Sequence, residues 1–79
     1  MVTKGPEKDW ASRISRFIKA ELKRAGVSYK ELARRLNEHG LEETEDSITS
    51  KLGRGTFAAT FLLATLAALE LDGMKLEDL

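Results

Sequence analysis

Hydrophobic residues recur at three- and four-residue steps early in the chain, which is the spacing of one face of an α-helix. A first helix is therefore predicted over about residues 8–25, ended by Gly26, which readily adopts the left-handed conformation found at helix C-termini. Its predicted inward face comprises Trp10, Ile14, Phe17, Ile18 and Leu22. Its opposite face carries a basic stripe, Arg16, Lys19 and Lys23, flanked by Arg13 and Arg24. The stripe is either a solvated surface or a surface that faces phosphate groups.

A short second helix is predicted to follow. Ser28 and Glu31 have the spacing of a capping box, so the helix should begin near Tyr29. The residues predicted to face inward are Tyr29, Leu32, Ala33 and Leu36. Gly40 is the expected end of this helix, with His39 in a capping or surface role near its negative pole.

A third helix is predicted over about residues 45–52, across a bend from the second. Thr44 is a good N-cap residue, and Gly53 and Gly55 are expected to close the helix. Ile48 and Leu52 lie four residues apart and are predicted to face the core. The residues left on or beside the outward face are Asp46, Ser47, Thr49, Ser50 and Arg54.

The last long helix is predicted to start after Thr56, to end at Gly73, and to be apolar on two sides. One apolar face contains Phe57, Phe61, Ala64, Thr65 and Ala68. The second contains Ala59, Leu62, Leu63 and Leu66. A helix with two apolar faces must be buried centrally or shared with a partner, so the second face predicts a homodimer. For the residues after Gly73, the sequence does not distinguish between a short strand and a turn of helix.

These elements predict an all-α fold, a compact bundle of four or five helices in one domain over residues 8–79, after a mobile lead-in over residues 1–7. The 79 residues are too few for a second domain. The absence of Cys excludes disulfides and thiolate metal sites, and a single His makes other metal ligation unpromising, so no metal or cofactor is predicted. The longest apolar stretch, residues 57–69, is shorter than the roughly 20 residues of a membrane span. We therefore expect a soluble, cytoplasmic chain.

The charges are balanced overall but divided along the chain. Thirteen basic and thirteen acidic residues cancel. Residues 1–35 hold ten Lys or Arg against four Asp or Glu (10 − 4 = +6), whereas residues 36–79 hold three against nine (3 − 9 = −6). The distribution of charge is therefore more informative about partners than its sum.

The segment SYKELARRL, followed by a bend, SITSKLGRG and a long apolar helix, resembles the Cro and phage-repressor (XRE-type) helix-turn-helix family over roughly residues 10–71. GVSYKELARRL and KLGRGTFAATF are also similar to a group of short uncharacterised bacterial helix-turn-helix-like proteins. The first resemblance implies a lambda-repressor-like fold and a transcriptional regulator that inserts the helix over about residues 45–52 into the major groove of duplex DNA. It places Asp46, Ser47, Thr49 and Ser50 near base edges. It places Lys30, Arg34, Lys51, Arg54 and Thr56 near phosphates.

Two features favour an alternative on the same fold, a protein-interaction or antitoxin-like module with weak or no DNA binding. The bend is five or six residues long, where three or four are usual in a helix-turn-helix. Glu42, Glu43, Glu45 and Asp46 also place four carboxylates where the third helix would approach a polyanion. An enzyme is not predicted, because His39, Asp46 and Ser47 have no spacing typical of a catalytic triad.

Overall fold

The computed structural model describes residues 6–79 of the chain. Four α-helices follow one another: α1, Pro6–Ala25; α2, Tyr29–Glu38; α3, Glu45–Arg54; and α4, Ala59–Ala68. A single 3₁₀ turn, Leu76–Asp78, follows them, and residues 6–79 contain no strand. The predicted all-α bundle is therefore confirmed.

The first helix starts earlier than predicted, at Pro6 rather than near Lys8. Proline suits the first helical position because the N–H that it lacks has no partner there. The predicted mobile lead-in was residues 1–7. Its residues 1–5 lie outside the described part, and residues 6 and 7 belong to α1.

The core lies between the helices, with α3 packed against both α1 and α2, and α4 packed against α2. The apolar side chains at its centre are almost fully buried, and they are Ile18, Leu22, Leu32, Leu36, Ile48, Leu52 and Phe61. Each such side chain stabilises the fold by about 1.5–3 kcal/mol through removal from water. The inward positions predicted for the second and third helices are confirmed, except that Tyr29 is only half-buried.

Trp10 does not belong to the core as predicted, since it is 47% exposed. It lies in an early turn of α1, and its ring is covered in part by the guanidinium of Arg13, 5.1 Å from the ring centroid. Trp10 also lines a shallow apolar groove with Leu62 and Met74. Helical periodicity places Trp10 on the correct side of α1 but cannot show that the core ends before reaching it.

The third helix continues through Gly53 to Arg54 and ends at Gly55, which has a φ of +72°. Helix α1 also passes directly against Gly55. A Cβ added there would lie 2.8 Å from the Cβ of Ala11 and closer still to the Ala11 backbone. Glycine is therefore required at this position for both backbone conformation and close helix packing.

The last helix is shorter at both ends than predicted. It begins at Ala59, after Ala58 rather than Thr56, and ends at Ala68. Its end is a Schellman motif in which the N–H of Leu71 donates to the Leu66 carbonyl and the N–H of Glu70 to the Ala67 carbonyl. Glu70 adopts the left-handed conformation that glycine usually supplies, with φ of 60°. The helix therefore stops before Gly73.

The second apolar face of α4 is narrower than predicted. Leu66 is only 8% exposed and belongs to the chain's own interior, so its placement on a free dimer face is corrected. Leu62 is half-buried against the core. Ala59 and Leu63 remain exposed, Leu63 to 63%. Among the described helices, none is long and apolar enough to cross a membrane.

Candidate nucleic-acid interface

Both helices of the α2–α3 pair begin at a side-chain cap, but the full capping box is not where it was predicted. The Ser28 hydroxyl accepts a hydrogen bond from the Glu31 N–H at 3.1 Å, which is one half of a box. The other half is missing because the Glu31 carboxylate binds two arginines. The complete box is at α3, where Thr44 Oγ1 accepts from the Ser47 N–H at 3.1 Å and Ser47 Oγ accepts from the Thr44 N–H at 2.9 Å.

The arginine predicted to contact phosphate from α2 is occupied by carboxylates. Arg34 donates to Glu31 and to Glu38, each at 2.7 Å. Hydrogen bonds from Arg34, and then from Arg35, lower the pKa of Glu31 to about 2, and the bond to Glu31 in turn raises the pKa of Arg34. A phosphate would have to compete with two carboxylates for Arg34. Lys30, the other cation predicted on this face, is exposed.

The bend between α2 and α3 is held by Asn37. Its side-chain amide donates to the Ala33 carbonyl at 2.7 Å and to the Glu43 carbonyl at 3.1 Å, which joins the last turn of α2 to the residue before the α3 cap. The N–H of Leu41 donates to the Leu36 carbonyl at 3.0 Å. The six residues between the helices are therefore an ordered connection.

One of the four predicted acidic groups is not on the surface. The Glu43 side chain is 5% exposed and accepts hydrogen bonds from Ser47 Oγ, at 2.6 Å, and from Lys51 Nζ. The Lys51 ammonium also lies 4.9 Å from the ring centroid of Phe61. Lys51 and Ser47 of α3 therefore neutralise and hydrogen-bond the buried Glu43 carboxylate.

This network around Glu43 engages two side chains that were predicted to contact DNA. Ser47 was predicted to read bases, but its hydroxyl completes the cap and binds Glu43. Lys51 was predicted to contact phosphate, but its ammonium is committed to Glu43. Both side chains are engaged for the same reason, because burial of Glu43 requires a hydrogen-bonded cation and a donor beside it.

The exposed side of α3 holds the remaining candidates. Asp46, Thr49, Ser50 and Arg54 are exposed on the helix, and Thr56 is exposed after it. The Thr49 hydroxyl donates to the Glu45 carbonyl at 2.9 Å, which leaves its oxygen free to accept. Glu42 and Glu45 are exposed as well, so three carboxylates rather than four surround the start of α3.

Polar side chains that were not predicted fix α3 and α4 at their C-terminal ends. The buried Ser15 hydroxyl donates to the Leu52 carbonyl of α3 at 2.6 Å. Arg35 donates to the Ala68 carbonyl, the last of α4, at 3.1 Å while also binding Glu31 at 2.9 Å. The sequence contains a signal for the first contact only, because Ser15 lies beside the apolar residues Ile14 and Ile18. It contains none for the contact between Arg35 and Ala68.

The described residues contain no group of three or more His, Cys, Asp or Glu side chains placed to hold a metal ion. Residues 10–74 match a protein family described as a domain of unknown function, DUF6471. The chain belongs to the DUF6471 family. The matched range contains α2, α3 and α4 entirely and most of α1, so the site described above lies within the DUF6471 domain. No curated protein and no solved structure gives a significant match to the chain.

Proposed function

We propose that this DUF6471 domain is a cytoplasmic transcription regulator that binds duplex DNA through α3, in the manner of a helix-turn-helix. The observation that carries the proposal is the exposed side of α3, where small hydroxyl residues and Arg54 project from a helix whose two ends are fixed to α1 and α2. Such a helix can enter the major groove as a rigid unit.

The chemistry of this surface suits contact with DNA. Ser50 and Thr49 can hydrogen-bond to several bases, and Asp46 can accept from cytosine N4. Arg54, Lys30 and Thr56 are left to contact phosphates. Burial of Glu43 leaves three rather than four carboxylates to repel the DNA backbone at the start of α3, but its ion pair also withdraws the Lys51 cation, so the charge presented to DNA changes little.

Titration of the purified chain into a labelled mixed-sequence duplex tests the proposal. We expect fluorescence anisotropy to show binding at low salt, with log K falling against log salt at a slope of about −0.9 per phosphate contacted. Asp46→Asn should tighten binding because it removes a negative charge, and Arg54→Ala should weaken it. Lys75→Ala, which removes an exposed cation from a different part of the chain, is the control. Absence of binding at low salt would refute the proposal.

A second candidate is a protein-interaction module, antitoxin-like or self-associating. It is supported by apolar surface that the chain leaves open. Leu63 is 63% exposed on α4, Trp10 is 47% exposed on α1, and an apolar groove runs between Trp10, Leu62 and Met74. The exposed Glu42, Glu45 and Asp46 would suit a basic protein partner.

Self-association is the part of this second candidate that can be tested directly. Light scattering is expected to give the mass of a homodimer at high concentration, because Ala59 and Leu63 lie exposed on α4 with Leu62 beside them. Leu63→Glu should then give a monomer without loss of helicity, whereas Lys23→Glu on α1 should leave the dimer intact. A monomeric mass for the unmodified chain would exclude the dimer.

A further inference from the structure

A groove between α1 and the end of α3 is lined by four cationic side chains and, among the described residues, by no carboxylate. It encloses about 270 Å³. The cations are Lys8, Arg16 and Lys19 from α1 and Arg54 from α3, and the floor is formed by small or apolar residues that include Ser15 and Gly53. We refer to these four cations as the basic groove.

The basic groove gathers four cations that form no ion pair, whereas the other such cations among the described residues, Lys23, Lys30 and Lys75, lie apart from it. Arg13, Arg24, Arg34, Arg35 and Lys51 each form an ion pair with a carboxylate. Within residues 6–79, no ion pair involves Lys8, Arg16, Lys19 or Arg54. The chain therefore neutralises most of its arginines internally but leaves these four charges together and available.

The positions of the three α1 cations of the groove are not explained by helix stability. Lys8 is in the first turn of α1, where the helix dipole disfavours a positive charge. Lys19 has Lys23 four residues after it and Arg16 three residues before it, and like charges at these spacings destabilise a helix. Arg54, by contrast, is in the last turn of α3, where the negative end of the helix dipole favours a cation.

We propose that the basic groove binds the phosphate backbone of the same duplex that α3 contacts. This inference rests on the proposed function, since it assigns the flanking backbone contact of that complex to α1. From Lys8 to Lys19 there are eleven residues (19 − 8), or roughly 16 Å of helix at 1.5 Å per residue. One DNA strand carries a phosphate about every 3.4 Å along the axis, so the groove spans roughly five phosphates. Arg54 belongs to both the groove and α3, which makes the two surfaces adjacent.

The test compares two double variants of the full chain that remove the same charge from the same helix. Arg16→Ala with Lys19→Ala removes half of the groove cations. Lys23→Ala with Arg24→Ala removes two exposed cations that do not line the groove. Each protein is titrated into one labelled mixed-sequence duplex over a range of salt concentrations. Far-ultraviolet circular dichroism melts verify that both variants are folded.

The groove variant is expected to have a salt slope shallower by about 1.8, from two lost contacts at about 0.9 each. If the plots of log K against log salt for the groove variant and the unmodified chain meet at 1 M salt, the groove variant binds on the order of 60-fold more weakly than the unmodified chain at 0.1 M salt. The control variant should keep the slope of the unmodified chain. Equal slopes for the two double variants would overturn the groove as a phosphate site.

The two proposals fail in different ways. Loss of binding by the groove variant, with no response to Asp46→Asn or Ser50→Ala, would support the groove and reject α3 as the contact face. A response to those α3 substitutions with an unaltered slope in the groove variant would support α3 and overturn the groove. If the unmodified chain does not bind duplex DNA at any salt concentration, both are rejected.

Discussion

Phe61→Ala is expected to lower the free energy of unfolding by about 3–5 kcal/mol. Phe61 is 1% exposed and lies where α4 meets the core, with the ring of Phe57 at a centroid distance of 5.0 Å. Its removal takes away apolar burial and leaves a cavity that surrounding helices fill only in part. The expected loss is a large part of the total free energy of unfolding of a small domain, which is about 5–15 kcal/mol. Urea or thermal denaturation followed by circular dichroism measures the loss.

The matched control for Phe61 is Leu63→Ala, two residues later in the same helix. Leu63 is 63% exposed, so its truncation should change the stability of the monomer by less than about 0.5 kcal/mol when measured at a dilution where the chain does not self-associate. Equal effects of the two substitutions would mean that α4 is rotated so that Leu63 is buried as well.

Lys51→Met is expected to destabilise the fold by about 3 kcal/mol, at the lower end of the range for breaking a buried ion pair. Methionine keeps much of the length and apolar contact of the lysine side chain but removes its charge. The Glu43 carboxylate, 5% exposed, then keeps only the Ser47 hydroxyl as a side-chain donor. The lower end applies because Lys51 itself is 28% exposed and is partly hydrated. Chemical denaturation gives the difference in free energy.

A double variant, Glu43→Gln with Lys51→Met, distinguishes charge from packing. Glutamine can still accept from Ser47 and carries no charge, so the double variant should recover most of the stability lost in Lys51→Met. If it remains as unstable as Lys51→Met alone, then the loss arises from packing against Phe61. The losses in free energy of unfolding caused by Lys51→Met and Phe61→Ala should not be additive, because the Lys51 ammonium lies over the Phe61 ring.

The parts of the fold that were predictable from the sequence are those set by neighbouring residues. The 3.6-residue spacing of Leu32, Leu36, Ile48 and Leu52 identifies α2, α3 and their inward faces, and all four side chains are buried. Gly26 and Gly40 both adopt positive φ at helix ends, as predicted.

The ends of α3 and α4 were not predicted correctly, since α3 extends further than expected and α4 stops earlier. Gly53 and Gly55 are both candidates for ending α3, and it is Gly55 that adopts the left-handed conformation and lies against Ala11 of α1. At the end of α4 the left-handed residue is Glu70, which composition does not distinguish from an ordinary helical residue. The packing of α1 against Gly55 is a tertiary constraint that local propensity does not contain.

The candidate site was predicted less well than the fold, because its polar contacts join residues far apart in sequence. Ser15 and Leu52 are separated by 37 positions, and Arg35 and Ala68 by 33. The sequence also counts Glu43 and Asp46 as equal charges, whereas one is buried and paired and the other is exposed. Only three-dimensional proximity shows which charges remain available to a partner.

The attachment of α3 at both ends has a consequence for the thermodynamics of binding. Its start is tied to α2 through Asn37 and the cap at Thr44, and its end is tied to α1 through Ser15. A recognition element that is ordered before contact loses little conformational entropy when a complex forms. Under the proposed function, a duplex that contacts α3 would have to deform to fit it, and bending a site of 20–30 base pairs costs on the order of 1–6 kcal/mol depending on its sequence. Selectivity among DNA sites would then depend on how easily each deforms as well as on the few side chains that reach its bases.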